Sequence, residues 1–420
     1  MVAVAKPRKK RKKEKLRQLV DSAILGSGIL DSAYDQAKEV IRICSTPNGL
    51  YASGGIEGYN ALWARDSMIS FLGASLVQDN IKGKNLTTKT TKTKKFQTKN
   101  RENKYTPLFK STFKKSLELL GKNQSSHGQI PNAVDQHSSR KPHVDYASID
   151  STLWYIIGHH IYKQRYRDNS LFKLHHSKIK RALAWLQSQD VGEDGTLLQL
   201  PTTDWQDAFP HKYGRTINTQ ALYYHVLKLL GQTNSARRLQ RVINTHPDKK
   251  LWNGHFYYAY RWKNHNKYKE IGEWFDTLGN LLAIVFDLAD KSKSKTIISY
   301  LEKNKVHRPF PVKAIFPPLK KSSKDWQDYF RDCEASEPNH YLNGGIWTFI
   351  GGFYILALIK LNKFSQALTE LKLLAQANLK GNFPEWIDPL TRKPHGKLQA
   401  WNAGMYLLAY ESLMKKKVLI

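Results

Sequence analysis

The sequence predicts an all-α protein that forms an (α/α)6 toroid, a closed ring of six helical hairpins with a cleft at one end. Apolar residues recur at helical spacing in segment after segment along the 420-residue chain. These segments alternate between amphipathic helices and helices that are apolar on almost every face. The long connections, which are rich in aromatic residues and carboxylates, precede the apolar helices.

The apolar period predicts twelve helices, and the segments 179–186 and 364–375 show it most clearly. The predicted helices lie near residues 30–44, 64–78, 108–121, 149–163, 175–189, 217–231, 233–245, 275–289, 292–304, 345–360, 364–378 and 399–413. No segment of comparable length has the pattern of a β-strand, so we expect no long strand.

Every second predicted helix is apolar nearly all round, as in LWYIIGHHIY, WFDTLGNLLAIVF and GGIWTFIGGFYILALI. Such helices are expected to be packed on both sides and therefore to form an inner layer. The intervening helices, such as KIKRALAWLQSQ, have a polar face and are expected outside. The loops that lead from outer to inner helices must then converge at one end of the ring, where they form the cleft.

The charge of the chain is concentrated in two segments. The chain has 67 Lys and Arg residues against 35 Asp and Glu, a formal net charge of +32. Lys6–Arg17 and Lys82–Lys104 each contain nine basic residues and one glutamate. We expect a disordered basic tail over 1–20 and a single domain over 21–420 with a Lys/Thr-rich insertion at about 82–104. The simplest interpretation is that both segments are solvent-exposed and highly charged, and the alternative is weak contact with a polyanion.

Composition excludes several classes of protein. Apolar residues make up 40% of the chain, with 11 Trp, 21 Tyr and 16 Phe, which is too aromatic for a disordered protein. No apolar stretch approaches the roughly 18 residues of a membrane span, so we expect a cytoplasmic protein without membrane contact. Cys44 and Cys333 are far apart and form no metal or redox motif.

The predicted cleft combines tryptophan and tyrosine with carboxylates and amides, which suits a sugar. Aromatic faces cover the C–H surfaces of a pyranose, and planar polar groups bond its hydroxyls. The alternative is that these aromatics are apolar plugs beneath long loops. Hydrolysis of a glycosidic bond requires one protonated carboxyl and one carboxylate. The candidates are Asp66, Asp150, Asp204, Asp207, Glu273, Asp276, Glu385 and Asp388.

Asp150 and Glu385 have the most suggestive positions among these carboxylates. Asp150 begins a predicted inner helix, and Glu385 lies between Phe383-Pro384 and Trp386, where aromatic neighbours would desolvate it. Helix capping explains Asp150 equally well, and a helix N-terminus favours the ionised form, which opposes a general acid. The alternative for Glu385 is a partly exposed loop carboxylate.

Seven segments in order carry a family resemblance. They are LWARDSMISFLGA, GQIPN, YASIDSTLW, TTDWQD followed by INTQALYYHVL, WFDTLGNLLAI, YLNGGIWTFIGGFYILAL, and FPEWIDP followed by QAWNAGMYLLA. From about Tyr51 to the C-terminus, the chain resembles the six-hairpin glycosidases, in particular the group of amylo-α-1,6-glucosidase (glycogen debranching) domains and alkaline/neutral invertases.

The resemblance implies an inverting glycoside hydrolase that cleaves α-glucosidic bonds of an oligosaccharide, with Asp150 as general acid and Glu385 as general base. It implies no cofactor and no metal. The expected sugar-binding residues are Trp63, Arg65, Asp66, Asn132, Asp204, Trp205, Asp207, Asn343, Trp347 and Trp401. Leu342 and Thr348 depart from the family, which more often has His and Pro there. A sucrose-cleaving, invertase-like β-fructofuranosidase and a non-catalytic carbohydrate-binding protein are the alternatives.

Overall fold

The computed structural model describes residues 28–54, 58–77, 105–136, 141–265 and 268–420. The basic segments Lys6–Arg17 and Lys82–Lys104 lie outside the described residues. The expected tail and insertion, and any polyanion contact through them, therefore stay predictions.

Helices dominate the part of the chain that the structure describes. In chain order they are α1 (Gly28–Cys44), α2 (Ala64–Ala74), α3 (Tyr105–Lys122), α4 (Asp150–Tyr166), α5 (Ser170–Leu174), α6 (His176–Gln187), α7 (Ile217–Leu229), α8 (Thr233–Thr245), α9 (Thr277–Val285), α10 (Lys291–Lys303), α11 (Thr348–Lys360), α12 (Phe364–Lys380) and α13 (Ala400–Met414). The short helix α5 was not predicted. Each of the twelve predicted helices overlaps one of the other twelve helices of the structure.

Six of these helices form the inner layer. Helices α2, α4, α7, α9, α11 and α13 contact one another in that order, and α13 contacts α2, so the six close a ring. Every residue of α2 and of α9 is buried, as expected for a helix with neighbours on both sides. Helices α1, α3, α6, α8, α10 and α12 pack outside this ring and bury only one face. The result is a helical toroid.

The contact between α2 and α13 brings two backbones together at a pair of glycines. A Cβ on Gly73 would lie 1.8 Å from the carbonyl oxygen of Gly404 and 2.7 Å from the nitrogen of Leu408. A Cβ on Gly404 would lie 2.3 Å from the carbonyl oxygen of Ser70. Only glycine permits this approach, which fixes α2 relative to the start of α13.

The connections contain short strands, which are β1 (Ser45–Thr46), β2 (Gly49–Leu50), β3 (Leu62–Trp63), β4 (Ala133–Asp135), β5 (His143–Asp145), β6 (Arg215–Thr216), β7 (Tyr258–His265), β8 (Tyr268–Asp276), β9 (Ile315–Phe316), β10 (Trp386–Ile387) and β11 (Pro394–His395). They form antiparallel sheets in the orders β1-β2, β3-β4-β5, β6-β7-β8-β9 and β10-β11.

The expectation of no long strand was wrong for β7 and β8. These strands of eight and nine residues pair antiparallel, with Tyr260 opposite Gly272 and Tyr258 opposite Phe275. Lysines and glutamates interrupt the aromatic residues of YAYRWKNHNKYKEIGEWFD, so the segment lacks a clean alternating pattern. Its stability comes from cross-strand pairs and packing, which a single segment does not display.

Two further observations bear on the sequence analysis. Among the described residues, no helix has both the length and the apolar character that a membrane span requires. Cys44 is buried, Cys333 is half-buried, and neither forms a disulfide.

The glycine contact predicts a large stability difference between two substitutions. Gly73→Ala should lower the free energy of unfolding by about 2 kcal/mol or more, because its methyl group would overlap the α13 backbone. Gly28→Ala is the matched control, since a Cβ there meets nothing within 4 Å and should change stability by less than about 0.5 kcal/mol. Urea unfolding measures both, and equal stability of the two variants would contradict the described contact.

Candidate functional site

A cavity of about 180 Å³ opens at the end of the ring where the outer-to-inner connections converge. Four of these connections, with the first turns of α2 and α13, supply its walls. The lining residues are Ala52, Tyr59, Trp63, Arg65, Asp66, Trp205, Asp207, Tyr341, Trp347, Glu385, Gln399 and Trp401. The cavity therefore joins four tryptophans, two tyrosines and three carboxylates, which come from distant parts of the sequence.

Most of the residues predicted for the site line this cavity. They are Trp63, Arg65, Asp66, Trp205, Asp207, Trp347, Glu385 and Trp401. Asp150, Asn132, Asp204 and Asn343 are not among the lining residues, and their positions are described below.

Arg65 is the buried cation of the site. Only 3% of its surface is exposed, and its Nη1 lies 3.2 Å from Asp150 Oδ1 and 3.3 Å from Asp150 Oδ2. Its Nε is 3.7 Å from Asp66 Oδ2, and its Nη2 is 3.8 Å from Asp207 Oδ2. One guanidinium therefore faces three carboxylates, and a net negative charge results if all three are ionised.

Burial shifts the titration of these carboxyls. Desolvation raises the pKa of Asp66 to about 6, although Arg65 opposes the shift and Asp207 adds to it. Desolvation also raises the pKa of Asp150, with the nearby Asp204 adding to this effect and with Arg65 and the Ser148 hydroxyl opposing it. Both carboxyls can therefore hold a proton at higher pH than an exposed aspartate.

Asp150 is the first residue of α4 and has no exposed surface. Its carboxylate bonds to Arg65 and accepts a hydrogen bond from the Ser148 hydroxyl. Ile149 occupies the N-cap position and no side chain caps the helix. The Asp150 carboxylate therefore does not cap α4, because it bonds to the side chains of Arg65 and Ser148 instead.

Glu385 lies on another wall of the cavity, just before β10. Its backbone nitrogen donates to the carbonyl oxygen of His395, and the Asn402 side chain donates to the carbonyl oxygen of Pro384. These two bonds hold the FPEW turn against the hairpin and against α13. The carboxylate itself is half-buried and faces the cavity.

Two phenols bond the Glu385 carboxylate. The hydroxyls of Tyr59 and Tyr341 each donate to Glu385 Oε1 at 3.0 Å. Desolvation raises the pKa of Glu385, and the two hydrogen bonds oppose that effect by stabilising the charged form. Burial and the Glu385 charge raise the pKa of Tyr59 to about 12 and that of Tyr341 further. Both phenols therefore stay protonated at neutral pH and keep donating to Glu385.

Tyr59 and Tyr341 were not predicted as site residues. Tyr59 lies in the connection that precedes α2 and Tyr341 in the connection that precedes α11, and such outer-to-inner connections were expected to form the cleft. Their contact with Glu385 joins residues 326 and 44 positions apart, which no local pattern predicts. Gln399 also lines the cavity and was not predicted.

Several polar atoms of the lining residues form no hydrogen bond with any described residue. The indole nitrogens of Trp63, Trp205 and Trp401 are buried and form no hydrogen bond with any described residue. The same is true of Arg65 Nε and Asp66 Oδ2. Buried polar atoms without partners cost free energy, so a ligand that offers several hydroxyls would be stabilised here.

Asp204 belongs to a buried ion-pair network outside the cavity lining. Lys212 Nζ lies 3.1 Å from Asp204 Oδ2 and 2.6 Å from Asp276 Oδ2, and all three side chains are fully buried. Asp204 Oδ1 accepts the backbone N–H of Gln206 at 3.0 Å. This network links the Trp205 loop to the start of α9, and sugar contact by Asp204 stays a prediction.

Asn132 and Asn343 also have protein partners. Asn343 exchanges hydrogen bonds with the backbone of Leu319, accepting from its nitrogen at 2.7 Å and donating to its oxygen at 2.9 Å. Asn132 Nδ2 donates to Asp145 Oδ2 at 2.8 Å. These amides stabilise loops around the cavity, and their predicted sugar contacts gain no support from this geometry.

A second cavity of about 580 Å³ lies behind the loops of Ser148-Ile149 and Thr203, which are joined by the Ile149 N–H to Thr203 oxygen bond. Its walls include Trp185 and Trp262 and are mainly apolar. No carboxylate is among its described lining residues. The smaller cavity, in contrast, is lined by Asp66, Asp207 and Glu385.

Within the described ranges, no group of three or more His, Cys, Asp or Glu side chains is arranged to hold a metal ion.

Fold and sequence comparisons support one class of protein. The chain is similar in fold to the GH63 mannosylglycerate hydrolase of Thermus thermophilus, solved in complex with glucose, with a TM-score of 0.60 and 11% identity over 89% of this chain and 99% of that one. A Klebsiella oxytoca rhamnosidase superimposes with a TM-score of 0.59 and 13% identity over 92% of this chain and 64% of that one. The predicted resemblance to six-hairpin glycosidases is confirmed.

The sequence similarity is more specific. Residues 269–416 match the family model of alkaline and neutral invertases. Alkaline/neutral invertase C, mitochondrial, of Arabidopsis thaliana is 26% identical over 141 residues, which are 32% of this chain and 21% of the relative. Neutral/alkaline invertase 3, chloroplastic, of Oryza sativa subsp. japonica is 27% identical over 147 residues, or 34% and 24% of the two chains.

The matched region thus spans about a fifth to a quarter of these relatives' length. The residues that match the family model, 269–416, include Glu385, Trp347 and Trp401 but not Asp150 or Arg65. The names of similar curated relatives give mitochondrial, chloroplastic and cytosolic locations, so the cytoplasmic location of this chain stays a prediction.

The phenol contacts predict a measurable change in the titration of Glu385. Tyr341→Phe removes a hydrogen bond that stabilises the carboxylate, so the pKa of Glu385 should rise by about 1 pH unit. Carboxyl ¹³C NMR of glutamate-labelled protein measures this pKa, with Glu385→Gln identifying the resonance. Tyr410→Phe is the control, since the Tyr410 hydroxyl bonds to Asp31 instead. An unchanged Glu385 pKa in Tyr341→Phe would contradict the described hydrogen bond.

Proposed function

We propose that this chain is an inverting glycoside hydrolase that removes one terminal sugar from a small α-glucoside. The observation that carries this proposal is the Glu385 carboxylate, held by two phenols in an aromatic cavity that also contains the Arg65 carboxylate cluster. The cavity is about 180 Å³, smaller than the roughly 300–1,000 Å³ of sites for drug-sized ligands, and suits a single sugar ring.

The proposal includes the arrangement of the toroid as six hairpins. Each outer helix with the next inner helix forms one hairpin, from α1 with α2 to α12 with α13. This assignment places every outer-to-inner connection at the same end, which agrees with the location of the cavity.

Glu385 is the proposed general base. Its charge is stabilised by Tyr59 and Tyr341, so it can exist as a carboxylate despite burial and can accept a proton from water. The attacking water would then approach the anomeric carbon from the face opposite the leaving group, which inverts its configuration.

Asp150 is the general acid that the resemblance implies, and its raised pKa agrees with a protonated carboxyl. A specific observation also favours Asp66 for this role. Asp66 lines the cavity, its Oδ2 accepts no hydrogen bond from any described residue, and burial raises its pKa to about 6. Asp150 in turn is fully buried and pairs with Arg65. An experiment must therefore show which of Asp150 and Asp66 is the general acid and which one positions Arg65.

Two substrates follow from different observations. The invertase similarity includes Glu385 and two tryptophans of the cavity, which makes sucrose the first substrate to test. The amylo-α-1,6-glucosidase activity that the sequence analysis favoured makes an α-1,6-linked glucoside the second. In sucrose, attack at the glucosyl carbon with inversion releases β-glucose, whereas attack at the fructosyl carbon releases α-glucose.

Proton NMR of fresh reaction mixtures tests the proposed activity. Sucrose, isomaltose, maltose, trehalose and a branched maltodextrin are the substrates, and we expect β-glucose to appear first from at least one of them. Glu385→Gln should lower the rate by at least about 10²-fold. Glu118→Gln, on outer helix α3, is the matched control and should retain the full rate. Binding without turnover of any substrate would favour the carbohydrate-binding alternative.

A substrate whose leaving group needs no protonation can identify the general acid. Replacing the acid by its amide should abolish most hydrolysis of the natural substrate but spare hydrolysis of α-glucosyl fluoride, because fluoride departs unaided. We expect this pattern for Asp150→Asn, and loss on both substrates for Asp66→Asn as a sugar-binding residue. The reverse pattern would assign the acid to Asp66. Activity on the fluoride also shows that a variant is folded.

A further inference from the structure

A third cavity of about 650 Å³ lies on the outside of the toroid, away from the sugar cavity. It is bounded by the residues after α10, by the outer face of α12 and by the turn between β10 and β11. Its lining residues are Lys305, Arg308, Pro309, Phe310, Lys313, Leu373, Gln376, Pro389, Leu390 and Arg392. Four of these ten side chains are cationic and none is acidic.

Only one of the four cations is neutralised by a described residue. Arg308 donates through both terminal nitrogens to Glu370, at 2.9 Å each, and Glu370 is 1% exposed. Both oxygens of the Glu370 carboxylate take part in this pairing. Lys305, Lys313 and Arg392 form no ion pair with any described residue.

Lys313 is the most constrained of these unpaired cations. It is half-buried, and desolvation lowers the pKa of its ammonium without a neighbouring carboxylate to oppose the effect. Its backbone is fixed by bridges on both sides, with Lys313 N–H donating to Val306 oxygen at 3.1 Å and Lys313 bridging to Ile346. A desolvated cation without a counter-charge is unfavourable, and a bound anion would relieve this cost.

The remaining walls are apolar. Phe310, Leu373 and Leu390 surround the cations, and Leu390 is 74% exposed. Arginine and lysine together suit a phosphoryl group, because the guanidinium fork bonds two oxygens while the ammonium supplies a point charge. The apolar surface suits the organic part of the same molecule.

We propose that this cavity, formed by Lys305, Arg308, Lys313 and Arg392 with Phe310 and Leu390, binds an organic phosphate. The proposal does not depend on the glycosidase assignment. The site shares a structural element with the sugar cavity, since Arg392 and Leu390 lie in the turn of the hairpin that Glu385 precedes. Ile346 bridges to both Lys313 and Ile387, and so joins the two regions by backbone pairing.

Isothermal titration of the full chain with glucose 6-phosphate, AMP and inorganic phosphate tests the proposal. The titration is run at about 0.15 M salt, where the Debye length is about 8 Å and diffuse attraction to a +32 chain is weakened. We expect saturable binding of an organic phosphate with a Kd below about 1 mM. Tighter binding of inorganic phosphate than of both organic probes would overturn the organic part of the proposal.

Charge-matched variants locate the binding. Lys313→Gln with Arg392→Gln should weaken binding at least about tenfold. Lys321→Gln with Arg331→Gln removes the same charge from exposed positions outside the cavity and should weaken binding less than about twofold. Both double variants retain Lys6–Arg17 and Lys82–Lys104, so contributions from those segments cancel. Arg392→Gln alone, on an exposed turn, guards against misfolding and should weaken binding in the same direction. Absence of saturable binding, or equal weakening by both pairs, would overturn the proposal.

Discussion

The cavity depends on the burial of a single positive charge, that of Arg65. Its guanidinium contacts Asp150 and lies within 4 Å of Asp66 and Asp207, so carboxylates from three separate segments are brought together. Without this cation, the carboxylates would repel one another in a desolvated site. With it, one positive charge faces three carboxyl groups and cannot neutralise all of them, so a proton can remain on one of them. Arg65 lies in the first turn of α2, and the glycine contact with α13 holds the opposite end of this helix, at Gly73.

The second half of the site is built independently. Glu385 lies in a turn held by the β10-β11 hairpin and by Asn402 of α13, and its charge is stabilised by phenols instead of a cation. The two carboxylate environments therefore differ in kind. Neutral hydrogen-bond donors stabilise the Glu385 charge and remain available at any ordinary pH. Burial raises the pKa of Asp66 and of Asp150, and the Arg65 guanidinium opposes this effect. The proposed acid and base roles require two carboxyl groups whose environments differ in this way.

The helices were predicted from a local pattern, whereas the cavity residues were expected from the composition of the connections and from the family resemblance that short motifs carry. Helical periodicity located each ring helix, and motifs such as LWARD and FPEW marked the loops. Three kinds of feature could not be predicted from the sequence. The hairpin of Tyr258–His265 with Tyr268–Asp276 depends on cross-strand pairing. Tyr59 and Tyr341 reach Glu385 only through the fold. The ion pair of Asp204 with Lys212 and the hydrogen bonds of Asn343 with Leu319 also join segments that are distant in sequence.

We propose that the cavity around Glu385 and Arg65 holds one sugar ring. A crystal structure of Glu385→Gln with an uncleaved substrate, sucrose or isomaltose, tests this proposal. We expect a single glucosyl ring inside this cavity, with hydroxyls that accept hydrogen bonds from the indole nitrogens of Trp63, Trp205 and Trp401. Sugar bound instead in the apolar cavity beside Trp185 and Trp262, with the Glu385 cavity empty, would contradict it.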